Sequence, residues 1–176
     1  MAELHVIGQI EKATGFPENR LFCRWSLHFG GGWRLLGGHR EGQTQTDCPE
    51  IEEAAYFAHP IDIHLAARSL QGWPWLALEV WHEDDFGRRE IYGYAFLHLP
   101  TQPGHHQLSC PTWRPSGSTR EEMMQHFVGG GLQLRSAETA LTATERSKLT
   151  TTAMGTLHLS LGLILRNFAQ LGILSS

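Results

Sequence analysis

An all-β fold, an antiparallel β-sandwich of about eight strands, is what this 176-residue sequence predicts. In several separate stretches apolar residues recur at every second position, the period of a strand with one buried face. Turn-forming residues punctuate those stretches at Gly30-Gly31-Gly32, Gly37-Gly38, Gly72-Trp73-Pro74 and Pro103-Gly104. Strand and helix patterns do not alternate along the chain, as a parallel sheet would require.

The elements follow in order. A short strand is expected at Leu4–Ile10. The next is the clearest: Leu21, Cys23, Trp25, Leu27 and Phe29 share one face, and Arg24, Ser26 and His28 share the other. Short strands follow at Trp33–Leu36 and Ile61–Leu65. Leu76, Leu78 and Val80 alternate next, but Trp75, Ala77 and Trp81 make the second face apolar too, which predicts a strand that is central or covered on both sides. Ile91–Leu99 alternates Ile91, Gly93, Ala95, Leu97 and Leu99 with Tyr92, Tyr94, Phe96 and His98. Gln107–Cys110 is a further short strand, and Leu157, Leu159, Leu161, Leu163 and Leu165 mark the last.

Before that last strand lies a long connection, residues 111–155, read as an insertion within one domain spanning 1–176. It carries the one expected helix. Ser118-Thr119-Arg120-Glu121 fits a capping box, Met123, Met124 and Phe127 follow at helical spacing, and Gly129-Gly130-Gly131 ends it. The strands on either side of the insertion need each other to complete one core.

Composition narrows the function. Hydrophobic residues make up 41% and charged residues 18%, a globular balance. The formal charge is -4, and the lysines are Lys12 and Lys148 alone. Nucleic acid is therefore not an expected partner, since its recognition needs concentrated basic charge. Cys23, Cys48 and Cys110 are odd in number and widely spaced, which points to reduced thiols in the cytosol. No signal peptide, lipidation motif or membrane-spanning stretch is expected.

Motifs for chemistry are missing. Asp85-Phe86-Gly87 matches the magnesium-binding tripeptide of protein kinases, but the loop, lysine and glycine-rich segments that accompany it there are absent, so it reads as a turn. Neighbouring His105 and His106 point to opposite faces of a strand and do not share a metal. There is no nucleophile elbow, no phosphate loop and no zinc spacing. No cofactor, metal or catalytic residue is expected. Trp73 and Pro74 at a strand entrance, and Trp113 and Arg114 in the stiff Cys110–Pro115 segment, either anchor an interface or cover the ends of the sandwich.

The order of segments carries a resemblance. His59-Pro60-Ile61-Asp62-Ile63, Gln71-Gly72-Trp73-Pro74, Val80-Trp81 with Asp85-Phe86-Gly87-Arg88, Gly93-Tyr94, His98-Leu99-Pro100, Pro103-Gly104-His105, Cys110–Pro115, Phe127–Gly131 and Leu165-Arg166-Asn167-Phe168 together resemble the B9 domain family. The resemblance implies a C2-like sandwich and a non-catalytic scaffold subunit of the Meckel syndrome, or tectonic-like, complex. It places that subunit on the cytoplasmic side of the ciliary transition zone, with the basal body and centrosome. The implied role is ciliogenesis and gating of ciliary membrane proteins, and the implied partners are B9 domain-containing protein 1 and the Meckel syndrome type 1 protein. Interface candidates are Trp73, Pro74, Asp85, Phe86, Arg88, Trp113, Arg114 and Phe168. The run Glu83-Asp84-Asp85 is similar to the acidic third loop of C2 domains, but Gly15–Arg20, in the place of the first loop, lacks aspartates. Calcium-triggered docking is therefore not expected. A calcium-independent phospholipid contact is the alternative, and a weak one, because scattered arginines add only about 1 kcal/mol each at an anionic surface.

Overall fold

Alternation becomes nine antiparallel strands in the computed structural model, which describes residues 1–115 and 151–172. They are β1 (Ala2–Thr14), β2 (Leu21–His28), β3 (Trp33–Gly38), β4 (Glu41–Gln43), β5 (Ala54–Ala67), β6 (Trp75–Glu83), β7 (Arg89–His98), β8 (Gly104–Pro115) and β9 (Thr151–Arg166). All eight expected strands are present, and β4 is additional. The expected helix at Ser118–Phe127 lies outside the described residues. Among the described residues the only helical element is a 3-10 turn at Phe168–Leu171, so the helical insertion finds no support. β8 runs on through Pro115, and β9 already begins at Thr151. Both margins of the expected 111–155 connection are therefore strand. Pro111 interrupts the alternation there, and it sits beside a register shift between Pro111 and Trp113, where a missing N–H is tolerated.

The hydrogen-bonded order is β3-β5-β1-β9-β8-β7-β6-β2-β4. The expected two layers are thus one continuous sheet curled into a half-barrel. β3-β5-β1-β9-β8 forms one wall and β7-β6-β2-β4 the other, joined where Tyr94 lies opposite Trp113. Leu4, Val6, Ile61, Ile63, Leu65, Leu159 and Leu161 of the first wall meet Cys23, Trp25, Leu27, Leu76, Leu78 and Val80 of the second in one core. Each fully buried Leu, Ile or Val side chain contributes roughly 1.5–3 kcal/mol. β6 is an interior strand, paired with β7 on one side and β2 on the other, in keeping with its two apolar faces.

The two terminal strands of the sheet are finished differently. Beyond β2, the segment from Arg40 to Asp47 forms a strap. Leu27 N–H donates to Arg40 O at 2.7 Å, Thr44 N–H to Cys23 O at 2.9 Å, and Leu21 and Asp47 exchange two bonds. Cys23 N–H donates to the Thr44 hydroxyl at 2.9 Å. β3, at the opposite edge, is blunted by a bulge between Leu35 and Gly37.

Candidate interaction surfaces

The strands run between two ends of the half-barrel. At one end the β6–β7 turn is built by Asp84. Its Oδ1 accepts the N–H groups of Phe86 (2.9 Å) and Arg88 (2.8 Å), and its Oδ2 accepts Arg88 Nε at 2.7 Å. Gly87, at φ +76°, supplies the left-handed step that closes the turn. Desolvation raises the Asp84 carboxyl, but the Arg88 N–H, the Arg88 guanidinium and the Phe86 N–H outweigh it and hold the pKa below the ordinary aspartate value. Asp85 pairs with Arg20 at 2.8 Å, and Glu83 with Arg89 at 3.0 Å. Each carboxylate of the acidic run therefore has its own arginine. Calcium takes six to eight oxygens, several of them from carboxylates free to turn towards it. Here the facing segment, Gly15–Arg20, contributes Arg20, a cation paired with Asp85, and a single acid, Glu18. No group of three or more His, Cys, Asp or Glu residues among the described ones could hold a metal ion.

Phe86 stands at the tip of this turn, 85% exposed, with the Arg88 guanidinium 5.6 Å from its ring centre. Asp85, Phe86 and Arg88 are thus together, as their adjacency in sequence implies. Beside them an open cleft of about 440 Å³ is lined by Pro17, Glu18, Arg20, Cys48, His82 and Asp85, a set of mixed charge.

At the opposite end Trp73, Trp33 and Phe168 form a plug. Trp33 and Trp73 meet edge-on at 5.2 Å, and Phe168 lies 6.3 Å from the first and 6.1 Å from the second. Trp73 Nε1 donates to Leu99 O at 2.8 Å, and Pro74 is buried beside it. Phe168 is 3% exposed. Trp73, Pro74 and Phe168 therefore cover the end of the core. Their neighbours Gly30 and Gly72 touch: Gly30 N–H donates to Gly72 O at 2.9 Å, and a Cβ on Gly72 would sit 2.5 Å from Gly30 Cα.

Trp113, on β8 where the two walls join, packs on the outside against the second wall. It is 9% exposed and forms a small cluster with Ile91 and Tyr94, against which Trp81 and Phe96 pack; Arg114 follows it in β8, half-buried. The aromatic second face of β6 joins the same side, where Trp75 stacks on His28 at 4.2 Å. The buried thiols offer no nucleophile. Burial pushes Cys110 up to about 11 and, with Glu79 nearby, Cys23 further still, so both are protonated at neutral pH.

The outer face of the first wall carries apolar residues that the strand period would turn towards solvent. Ile7 on β1 is 50% exposed and Ile164 on β9 57%, although both strands otherwise keep large apolar groups inward. Ile164 lies opposite His5, and Ile7 opposite Gly162, so the two isoleucines are diagonal neighbours. His5 and His64 meet edge-on with ring centres 3.8 Å apart, and the bulge that carries Leu36 adjoins His64. The available signal was an isoleucine on the polar register of each strand.

A sequence profile described as B9-C2, ciliary basal body-associated B9 protein, matches residues 4–164. The chain belongs to the B9 family. Among B9 relatives, B9 domain-containing protein 2 of Xenopus laevis is 56% identical over 176 residues, covering all of both chains. The Homo sapiens protein of that name is 55% identical over 173 residues, 98% of this chain and 99% of the other. B9 domain-containing protein 1 of Mus musculus is a more distant B9 relative, 32% identical over 72% of this chain and 63% of its own. A solved structure, the C2A domain of plant extended synaptotagmin 1, is 13% identical and superposes with a TM-score of 0.49 over 94% of each chain.

Proposed function

We propose that this B9 protein is a non-catalytic scaffold subunit of the tectonic-like complex at the ciliary transition zone. There it supports ciliogenesis and the gating of ciliary membrane proteins. Its partners are B9 domain-containing protein 1 and the Meckel syndrome type 1 protein. The observation that carries the reading is full-length identity above one half to proteins named B9 domain-containing protein 2, one of them covered end to end. The chemistry agrees with it. The carboxylates of the acidic turn are held by arginines and the buried thiols stay protonated, which leaves recognition by shape as the work of the surface. Co-purification of the pure chain with each partner at micromolar concentration tests the proposal. A one-to-one or ternary complex is expected, and failure to associate with either partner ends it.

One observation favours a second reading, a peripheral phospholipid contact independent of calcium. Phe86 is 85% exposed at a loop tip beside Arg88 and Arg89, a shape suited to insertion among headgroups. The arginines are already neutralised by Asp84 and Glu83, which weakens attraction to an anionic leaflet. Flotation with phosphatidylserine vesicles separates the readings, since the isolated scaffold is expected to stay unbound.

A further inference from the structure

A bulge opposite Val80 and Trp81 turns Ile91 outward, on the same side of β7 as Tyr94. The two join Trp113 of β8, with Trp81 and Phe96 packed around them. Ring centres lie 5.7 Å apart for Tyr94 and Trp113, and 5.9 Å for Phe96 and Trp113. Apolar side chains on the outer face of one sheet shield each other from the sides, but their tops stay wet unless a second layer lies over them. Phe96 and Trp81 follow that rule and are half-buried. Ile91 and Tyr94 depart from it, at 2% and 3% exposed.

The enclosure has a direction. Along the outer side of β7 it is nearly complete at Ile91 and Tyr94, partial at Phe96 and lost at His98. It is deepest beside Trp113, two residues before Pro115, where β8 reaches the end of the described residues. β6, β8 and β9, the strands beside β7, belong to the same sheet, so none of them lies over its outer face.

We propose that the connection 116–150 is that second layer, laid over the outer face of β7 and β8 with apolar side chains of its own on Ile91, Tyr94 and Trp113. Trp113 then anchors the chain's own connection, and this part of the wall is closed to other proteins.

The cover belongs to the chain, because the three side chains are enclosed within a single molecule. Its place follows from where the chain leaves the sheet and returns. Pro115 pairs with Thr151, and Trp113 with Ala153, so both ends of the connection lie beside the cluster. The residues that follow Gly172 start from the Trp33–Trp73–Phe168 plug, at the other end of the half-barrel.

Length and composition agree. Two paired strands can be joined by about two to five residues. Residues 116–150 far exceed that need, and neighbouring strands are only about 4.8 Å apart, so the chain can cross β8 and β7 and come back. The connection supplies Met123, Met124, Phe127, Leu132 and Leu134. Methionine sulfur packs favourably against aromatic rings, which the cluster offers.

The test places a photocrosslinking phenylalanine analogue at position 96, on the margin of the cluster, in the otherwise unaltered chain. Position 86 serves as the control. Irradiation and peptide mass analysis are expected to join position 96 to a peptide from 121–146 of the same molecule, while position 86 joins none. Capture of another copy alone, no capture of 121–146, or equal capture from both positions overturns the proposal. A second readout uses Met123→Asp/Met124→Asp/Phe127→Asp. A severalfold rise in anilinonaphthalene sulfonate emission is expected, with an unchanged circular dichroism spectrum, as the cluster is laid bare. Emission equal to wild type also overturns the proposal. Neither readout involves a partner, so a failure here leaves the scaffold reading standing.

Discussion

At the Gly30–Gly72 end three aromatic rings close the core, whereas at the Arg20–Asp85 end three arginines hold three carboxylates in solvent. The first arrangement is worth several kcal/mol, because each ring leaves water and fills space. Exposed ion pairs of the second kind contribute about 0–1 kcal/mol each. One end therefore holds the half-barrel shut, and the other shapes a turn and presents Phe86 at little cost to stability. Both ends attract attention in the sequence by the same signal, aromatic residues next to glycine and proline, and only burial separates their roles.

The contrast is open to test, the largest effect coming from the plug. Phe168→Ala should cost about 3–5 kcal/mol in urea unfolding, since it empties a buried ring site. A loss under about 1 kcal/mol would mean that the end of the core is not sealed there. Gly72→Ala should cost about 1–3 kcal/mol. The residue is held at φ +71°, and the added methyl meets Gly30. Wild-type stability for that variant would show that the Gly30–Gly72 contact is not close.

Between the two ends, Trp25 Nε1 donates to His59 Nε2 at 3.0 Å and ties β2 to β5. Burial lowers the His59 pKa below its ordinary 6.5, and acceptance of the indole proton requires the neutral ring. The unfolded chain takes up a proton at about 6.5 while the folded one resists. Stability is therefore full above that pH and falls as pH drops from 6.5 towards the lowered value. Melting followed from about pH 7.5 to about pH 5.5 should decline less steeply in His59→Gln, which keeps an acceptor and cannot titrate. Equal slopes would remove His59 from the account.

The smallest effects belong to the charged end. Phe86→Ala should change unfolding by no more than about 0.5 kcal/mol. Millimolar calcium should leave the melting temperature where it was, and a rise of several degrees would show that the arginines give way to a cation.

Most of the sheet was legible in the residues because its strands obey one rule. β2 and β9 alternate cleanly, and the doubled apolar character of β6 announced its interior place. In β7 a bulge opposite Val80 and Trp81 overturns the expected faces at its start, turning Tyr92 into the core and Ile91 outward beside Tyr94 and Trp113. β4 escaped because Glu41-Gly42-Gln43 has no apolar residue; backbone bonds and the strap hold it. β5 runs from Ala54, well before the expected Ile61, because Ala58 at φ 43° and a bulge opposite Ile10 and Lys12 break its period. Pro60 is tolerated there because the register of β3 stops at Ile63. The interface candidates divide by depth. Asp85, Phe86 and Arg88 lie on one turn as expected, but the sequence carried no measure of how far Pro74 and Phe168 would be enclosed and Trp73 half-buried. That depends on Trp33, some forty residues from Trp73 along the chain.

β1 is clasped between β5 and β9, although nearly the whole chain separates it from β9. A ribosome makes β1 first and its second neighbour last. Until Thr151–Arg166 emerges, one side of β1 and one side of β8 stay bare, both ready to pair with another molecule. Closing so long a loop is slow, milliseconds to seconds for sheets of this kind. A premature stop between Pro115 and Thr151 would leave two sticky strands permanently open. Such a truncated product is destined for aggregation or chaperone capture, and would not persist as a smaller working domain.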